Sequence, residues 1–360
     1  MRIIGKLLLW PLLLVNILIS GLTIFSCYIS QMAPFGKYPI ASLSGLAFPY
    51  FGTALLIFLV FWLCVWKKAA LLPAVTIIAC IGPIWDFSPL HLHAGQQPPG
   101  TSSLKLMTYN TKSFGIAENG DKTHTNPILT LAAGSGADII CMQEALPSYL
   151  HDFTAGKGTL KEYPYVAAGQ GTASQTIISR HRILESDCRN FENGSGNSYQ
   201  HALIKVGSDT ISVYNCHFQS NHLDNTNLED YNNILHNPSD TSNYHGVKNI
   251  LKKLLDSTSQ RAQQAEMISA MVKADRHKFI IVCGDFNDSP LSYAHKLFDR
   301  FMTDAWAKCG KGPGITYNSH NLYYRIDHIF CSRKMQPYAI SKDQTCKDSD
   351  HYPVICDIAY

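Results

Sequence analysis

The sequence predicts an α/β layered sandwich behind an N-terminal membrane unit, and three observations carry that expectation. Long charge-free apolar runs crowd the first 90 residues. Beyond a polar, Pro- and Gly-rich stretch at residues 91–103 (HLHAGQQPPGTSS), short β-branched segments recur to the end of the chain. Helical periodicity is interspersed among them at 246–256, 259–275 and 290–301. Strands that dominate with helices between them point to layered α/β architecture.

At 360 residues with 46% hydrophobic content, the chain holds one large domain plus an appendage. Residues 7–29 (LLLWPLLLVNILISGLTIFSCYI) carry no charge and exceed the ~20 apolar residues needed to cross a bilayer. A second run, 45–66 (GLAFPYFGTALLIFLVFWLCVW), ends at Lys67 and Lys68, and a third, 69–85 (AALLPAVTIIACIGPIW), is shorter and holds two prolines. Arg2 and Lys6 precede the first run as they would a signal peptide, but such cores span only ~7–15 residues and further apolar runs follow. Residues 1–90 therefore read as a multi-pass membrane anchor, with residues 91–103 as linker and 104–360 as the globular domain. Basic residues mark the cytoplasmic side. Arg2, Lys6, Lys67 and Lys68 then face the cytoplasm and leave Lys37 alone in the outer loop. Three spans place the globular domain on the non-cytoplasmic side; two would invert it.

Composition also excludes some functions. The net charge of +3 is too small to argue for nucleic acid by itself. The apolar runs hold almost no ionisable groups, Asp86 standing only at an end, whereas transport paths usually carry intramembrane charge. None of the 11 cysteines shows CxxC or zinc-type spacing. Cys188, Cys309, Cys331, Cys346 and Cys356 could include a disulfide in an oxidising compartment, with no pairing indicated.

In the globular part, LKLMTYN (104–110), ADIICMQE (137–144), HALIKV (201–206), ISVYNCHF (211–218), FIIVCGDFN (279–287), RIDHIFCS (325–332) and HYPVICDIAY (351–360) read as strands. Residues 219–245 are Asn-rich and without periodicity, and their His222, His236 and His245 read as solvated loop residues. Polar residues recur where the strands end: Asn110, Glu144, His217, Asp285 with Asn287, Asp327, and Asp350-His351. Singly each is explained as a turn or cap; together they form a set suited to metal and acid/base chemistry. Four carboxylates and two amides suit Mg²⁺ or Mn²⁺ better than zinc. With two histidines added, the set fits phosphate-ester hydrolysis, in which a metal polarises a phosphoryl oxygen and a carboxylate takes a proton from water.

The ordered series TYN, QE, NCHF, GDFND, RIDHIF and SDHYPV resembles the endonuclease/exonuclease/phosphatase superfamily over residues 104–360. The resemblance implies a four-layer sandwich of two β-sheets flanked by helices, with the active site at one edge of the sheets. It further implies Glu144 as principal metal ligand with Asn110 nearby and Asp350 contributing. Asp285 would orient or deprotonate water, Asn287 would hold the phosphate or that water, and His351, polarised by Asp327, would contact the scissile phosphate. His217 resembles the second histidine of the deoxyribonuclease and sphingomyelinase branches. One departure is that Ala-Leu-Pro follows Glu144 where the deoxyribonuclease branch has an arginine, so Arg180 or Arg325 would have to supply the phosphate contact. His201 stands where relatives often carry an arginine. The expected function is a membrane-anchored, divalent-metal-dependent phosphoesterase. Diesters, as nucleic acid or phospholipid head groups, are preferred over monoesters, and a non-catalytic binding domain is the alternative.

Overall fold

The structure, a computed structural model, describes residues 9–34, 39–93, 95–115, 126–150, 153–169, 174–192, 196–221, 226, 233, 236, 244–319 and 321–360. Arg2, Lys6, Lys37, His222 and most of the Asn-rich loop lie outside these. The strands, in chain order, are β1 (Ser103–Asn110), β2 (Ile139–Gln143), β3 (Tyr165–Ala168), β4 (Thr176–Ser179), β5 (Arg182–Asn190), β6 (Ser198–Val206) and β7 (Asp209–His217). They continue as β8 (Phe279–Asp285), β9 (Met302–Asp304), β10 (Tyr317–Ser319), β11 (Leu322–Tyr324), β12 (Asp327–Ser332), β13 (Gln336–Lys342) and β14 (Val354–Ala359). They form two six-stranded sheets, ordered β13-β14-β1-β2-β4-β3 and β5-β6-β7-β8-β12-β9, with β10 and β11 as a separate hairpin.

Each sheet contains one parallel pair, β1 with β2 and β7 with β8. That geometry places the carboxyl ends of these strands together at one rim, where open α/β sheets tend to hold ligands. Register then aligns the polar residues: Asn110 stands beside Gln143, His217 beside Asp285, and Asp327 opposite Asp285. Gly284 makes the β7–β8 approach possible. Its φ is +132°, and a Cβ there would lie 1.9 Å from the Cys216 carbonyl oxygen, so no side chain fits.

The inward faces of both sheets meet in a core that includes Leu104, Leu106, Val213, Ile281, Ile329 and Ile358. Outside the second sheet, Phe218, Phe286, Phe298 and Phe330 are fully buried, each worth about 1.5–3 kcal/mol of burial. The periodic stretches 246–256 and 259–275 form one uninterrupted helix of 31 residues (Tyr244–Ala274) and not two. Ser257 and Thr258, which read as a break, lie on its buried face. The expected helix at 290–301 is shorter, Tyr293–Asp299, capped by Ser292. All eleven cysteines are free thiols.

In the N-terminal unit, helices α1 (Trp10–Tyr28) and α2 (Ser44–Val65) anchor the two segments long and apolar enough to cross a membrane among the described residues, Trp10–Gln31 and Ile40–Val65. The expected third span is not one helix. Residues 69–85 fall into α3 (Leu71–Ala79) and α4 (Ile81–Phe87), broken at Cys80. Pro83 causes the break, because it has no N–H for the Ala79 carbonyl and its ring crowds that oxygen; the Tyr28 hydroxyl donates to it instead. Leu9, Leu13, Trp62, Trp66, Ala69 and Ala70 pack together at one end of the bundle. At the other end Cys27, Phe48, Cys80, Ile84 and Phe87 pack with Leu291 of the sandwich. Inside the bundle, the Trp62 indole N–H donates to Asn16 Oδ1 at 3.0 Å.

Candidate active site

Seven of the sequence-selected residues converge at the rim. Asn110 bridges the sheets, its Nδ2 donating to Asp285 Oδ2 at 2.9 Å and to Glu144 Oε1 at 3.1 Å. Asp285 Oδ1 accepts the Asn287 backbone N–H at 2.7 Å, and Asn287 Nδ2 donates to the Phe218 carbonyl at 3.0 Å. His351 Nδ1 lies 2.9 Å from Asp327 Oδ2, leaving Nε2 3.7 Å from Asp285 Oδ2. His217 Nε2 sits 3.7 Å from Asp285 and 3.8 Å from Glu144. Among the described residues neither ring nitrogen of this buried histidine has a hydrogen-bond partner, an arrangement that costs free energy unless a ligand completes it. Glu144 and Asn287 have φ of 50° and 53°. Strained backbone of this kind clusters at functional sites.

The electrostatics follow from burial and charge. Burial raises the pKa of Asp285, with the Asp327 charge adding to it and His351 and His217 opposing. Burial opposes a charge on His351 too, but Asp327 and then Asp285 outweigh it and lift its pKa to about 10. A protonated imidazole and a buried carboxylate of raised basicity thus face one another. That pairing can donate a proton to an anionic oxygen and accept one from water.

The chain's sequence matches the profile of the endonuclease/exonuclease/phosphatase family over residues 107–351, more than half its length. The chain belongs to this family. Residues 6–87 match a domain of unknown function, DUF8431. Comparison with curated proteins returns no significant match. Among solved structures, the chain is similar to D. rerio TDP2 complexed with a single-stranded DNA product, at 17% identity over 71% of this chain and 99% of that one, TM-score 0.52. A humanized D. rerio TDP2 is similar at 16% identity over 71% and 98%, TM-score 0.52. Truncated Caenorhabditis elegans TDP2 matches at 14% over 72% and 98%, TM-score 0.50. At these identities the likeness is one of fold, with two mixed sheets flanked by helices.

Family members are phosphoesterase hydrolases that generally use a divalent metal, and the donor chemistry here fits one. Donor atoms of Asp285, Asp327 and His351 all lie within 4.8 Å of one another. Two of them are already joined, since Asp327 Oδ2 and His351 Nδ1 hydrogen-bond. Glu144 and Asp350 are more open, with 36% and 22% of their side chains exposed. Asp350 pairs with Lys112 at 3.6 Å on a cleft of about 520 Å³ lined also by Asn318, Lys347 and Tyr352.

The three weaker substrate-binding candidates make other contacts in this structure. Arg180 donates to Glu162 at 2.7 Å and to the Gly136 carbonyl at 3.2 Å, and stacks on Tyr163. It serves the flank of the first sheet. His201 stacks on Tyr214 and bonds Ser212 at 2.8 Å in the body of β6, away from the rim. Arg325 is buried and turns toward the N-terminal unit, donating to the Asp86 and Pro313 carbonyls.

Sequence reasoning missed the supports beneath the site. Gln143 Nε2 donates to Asn215 Oδ1 at 2.7 Å, and Asn215 Nδ2 to the Met142 carbonyl at 3.0 Å, tying the sheets under the catalytic groups. Arg261 is 1% exposed and holds Asp288 Oδ2 at 3.2 Å and the Gln219 carbonyl at 2.7 Å. It clamps the two loops that follow His217 and Asp285. The signal was a lone arginine in an apolar-periodic helix, which buries only with partners.

Proposed function

We propose that the protein is a membrane-anchored, divalent-metal-dependent phosphodiesterase. The carrying observation is the facing of Asp285 and His351 at 3.7 Å beside His217, whose ring nitrogens have no hydrogen-bond partner among the described residues. Glu144 and Asp350, with Asn110 alongside, would hold Mg²⁺ or Mn²⁺. An ion bound there would supply polarisation of a phosphoryl oxygen and stabilisation of its developing charge. Asp285 orients the attacking water and takes its proton, while Asn287 steadies that water or the phosphate. His351, charged and held by Asp327, donates to a non-bridging oxygen. His217 stabilises charge on the leaving side. A binding module would gain nothing from burying a histidine with both nitrogens unsatisfied.

The full chain should hydrolyse bis(p-nitrophenyl) phosphate with Mg²⁺ or Mn²⁺ and stop in EDTA. Turnover that persists in EDTA, or none with any divalent ion, would sink this reading.

We infer a topology from the order of the helices. Its chain runs from the Trp62–Ala70 end to the sandwich end along α1, returns along α2, and comes back along the broken pair α3–α4. Lys67 and Lys68 stand at the end remote from the sandwich, which favours three passes with the catalytic domain on the non-cytoplasmic face. Protease added outside intact cells should then degrade the catalytic domain. Full protection until the membrane is opened would place it inside.

A further inference from the structure

We infer that the N-terminal bundle is a fixed wall of the catalytic rim rather than a tether, and that it holds the site at the bilayer surface to act on phosphodiesters of membrane lipids. This rests on the phosphodiesterase reading above and adds the substrate class to it.

The contacts are specific and partly buried. Asp86, in α4, accepts from Lys296 Nζ, which is also bonded to Asp299 at 2.7 Å. The Asp86 backbone carbonyl accepts from Arg325, itself 2% exposed. Buried charges are tolerated only when paired and hydrogen-bonded, so this cluster fixes α4 against the sandwich. Ser30, just beyond α1, donates to the Leu291 carbonyl at 2.7 Å. A Cβ on Gly45 at the start of α2 would lie 3.1 Å from Ser30 Cβ and 3.4 Å from Ser289 Oγ. The Tyr324 hydroxyl donates to the Leu46 carbonyl at 3.4 Å.

These contacts fall on the loops that bear the catalytic groups. Ser289 and Leu291 follow Asn287 within four residues, and Tyr324 and Arg325 lie three and two residues before Asp327. The hairpin that ends at Tyr324 also pairs backbone with His351 through Tyr317. Around the same end of the bundle Tyr28, Met32, Ile40, Tyr50, Trp85 and Leu90 are exposed, the mixed aromatic and aliphatic composition of a membrane–water interface. The rim therefore lies level with the lipid head groups. Arg180 and Arg325 are already engaged by Glu162 and the Asp86 carbonyl, which leaves Lys112 and Lys347 at the cleft as the basic groups a nucleic-acid backbone would have to use.

The test uses the full chain in bilayer nanodiscs, both faces accessible, containing phosphatidylcholine, phosphatidylethanolamine, phosphatidylglycerol and sphingomyelin. Head-group release is compared with cleavage of a DNA oligonucleotide and of bis(p-nitrophenyl) phosphate in solution. At least one disc lipid should be turned over about 10²-fold faster than the oligonucleotide, the lower end of what co-localisation supplies. Asp86→Asn, which keeps the backbone carbonyl for Arg325, and Ser30→Ala should each cut lipid turnover while leaving the soluble diester unchanged. Oligonucleotide cleavage matching or exceeding that of every disc lipid would overturn the proposal, as would equal losses on lipid and soluble diester in both variants. Failure of the wild type on the soluble diester would instead overturn the phosphodiesterase reading beneath it.

Discussion

Asp285→Asn is expected to lower diester turnover roughly 10²–10⁴-fold, the usual contribution of a positioned general base, with the fold retained. Burial makes the Asp285 carboxylate a better proton acceptor than an exposed aspartate, although His351 and His217 oppose the shift. Asparagine cannot accept that proton. It does keep the size and planar shape, so one amide oxygen can still receive the Asn287 N–H that Asp285 Oδ1 receives now. The other position would meet Asn110 Nδ2 donor to donor. Losing that charge-assisted hydrogen bond costs about 1–3 kcal/mol, less than the stability of a typical domain. Turnover and the melting temperature, measured on the same preparation, separate the two effects. Near-wild-type turnover would remove Asp285 from the chemistry, and a collapsed melting temperature would show it to be mainly structural.

The site was legible because its groups sit where strands stop. A run of β-branched residues closing on Gly-Asp, or on Cys-His, announces both a strand and the direction its end faces, and parallel pairing then gathers those ends. Arg325 lay beyond that signal: it donates to the Asp86 carbonyl in the N-terminal unit, and no local pattern reveals such a contact. The long helix was read as two because Ser257 and Thr258 look like a break; tertiary packing buries that face and carries the helix through. Strand β5 offered no alternation, being exposed along most of its length as an edge, and β9, β10 and β11 are three residues each, too short to show a period. Pro83 was visible as a helix breaker, yet its consequence depended on the Tyr28 hydroxyl that takes up the freed carbonyl.

Asp327→Asn is expected to move the alkaline limb of the pH–rate profile to lower pH. His351 keeps its proton up to about 10 because Asp327, and after it Asp285, outweigh the burial that opposes its charge. Asp327 is the nearer partner, at 2.9 Å against 3.7 Å. Neutralising it leaves burial opposed chiefly by Asp285, so the imidazolium deprotonates at lower pH and the proton donor is lost there. Each pKa unit corresponds to about 1.4 kcal/mol of lost preference for the charged form, so the deficit should grow about tenfold per pH unit between the variant's limb and the wild type's. Below the variant's limb both enzymes carry a charged His351, and the remaining loss reflects orientation alone. A bound divalent ion lowers the pKa in both proteins, which makes the shift at fixed metal concentration the quantity to measure. Parallel profiles, offset by the same factor at every pH, would mean that Asp327 only orients the ring and that its charge plays no part in holding the proton.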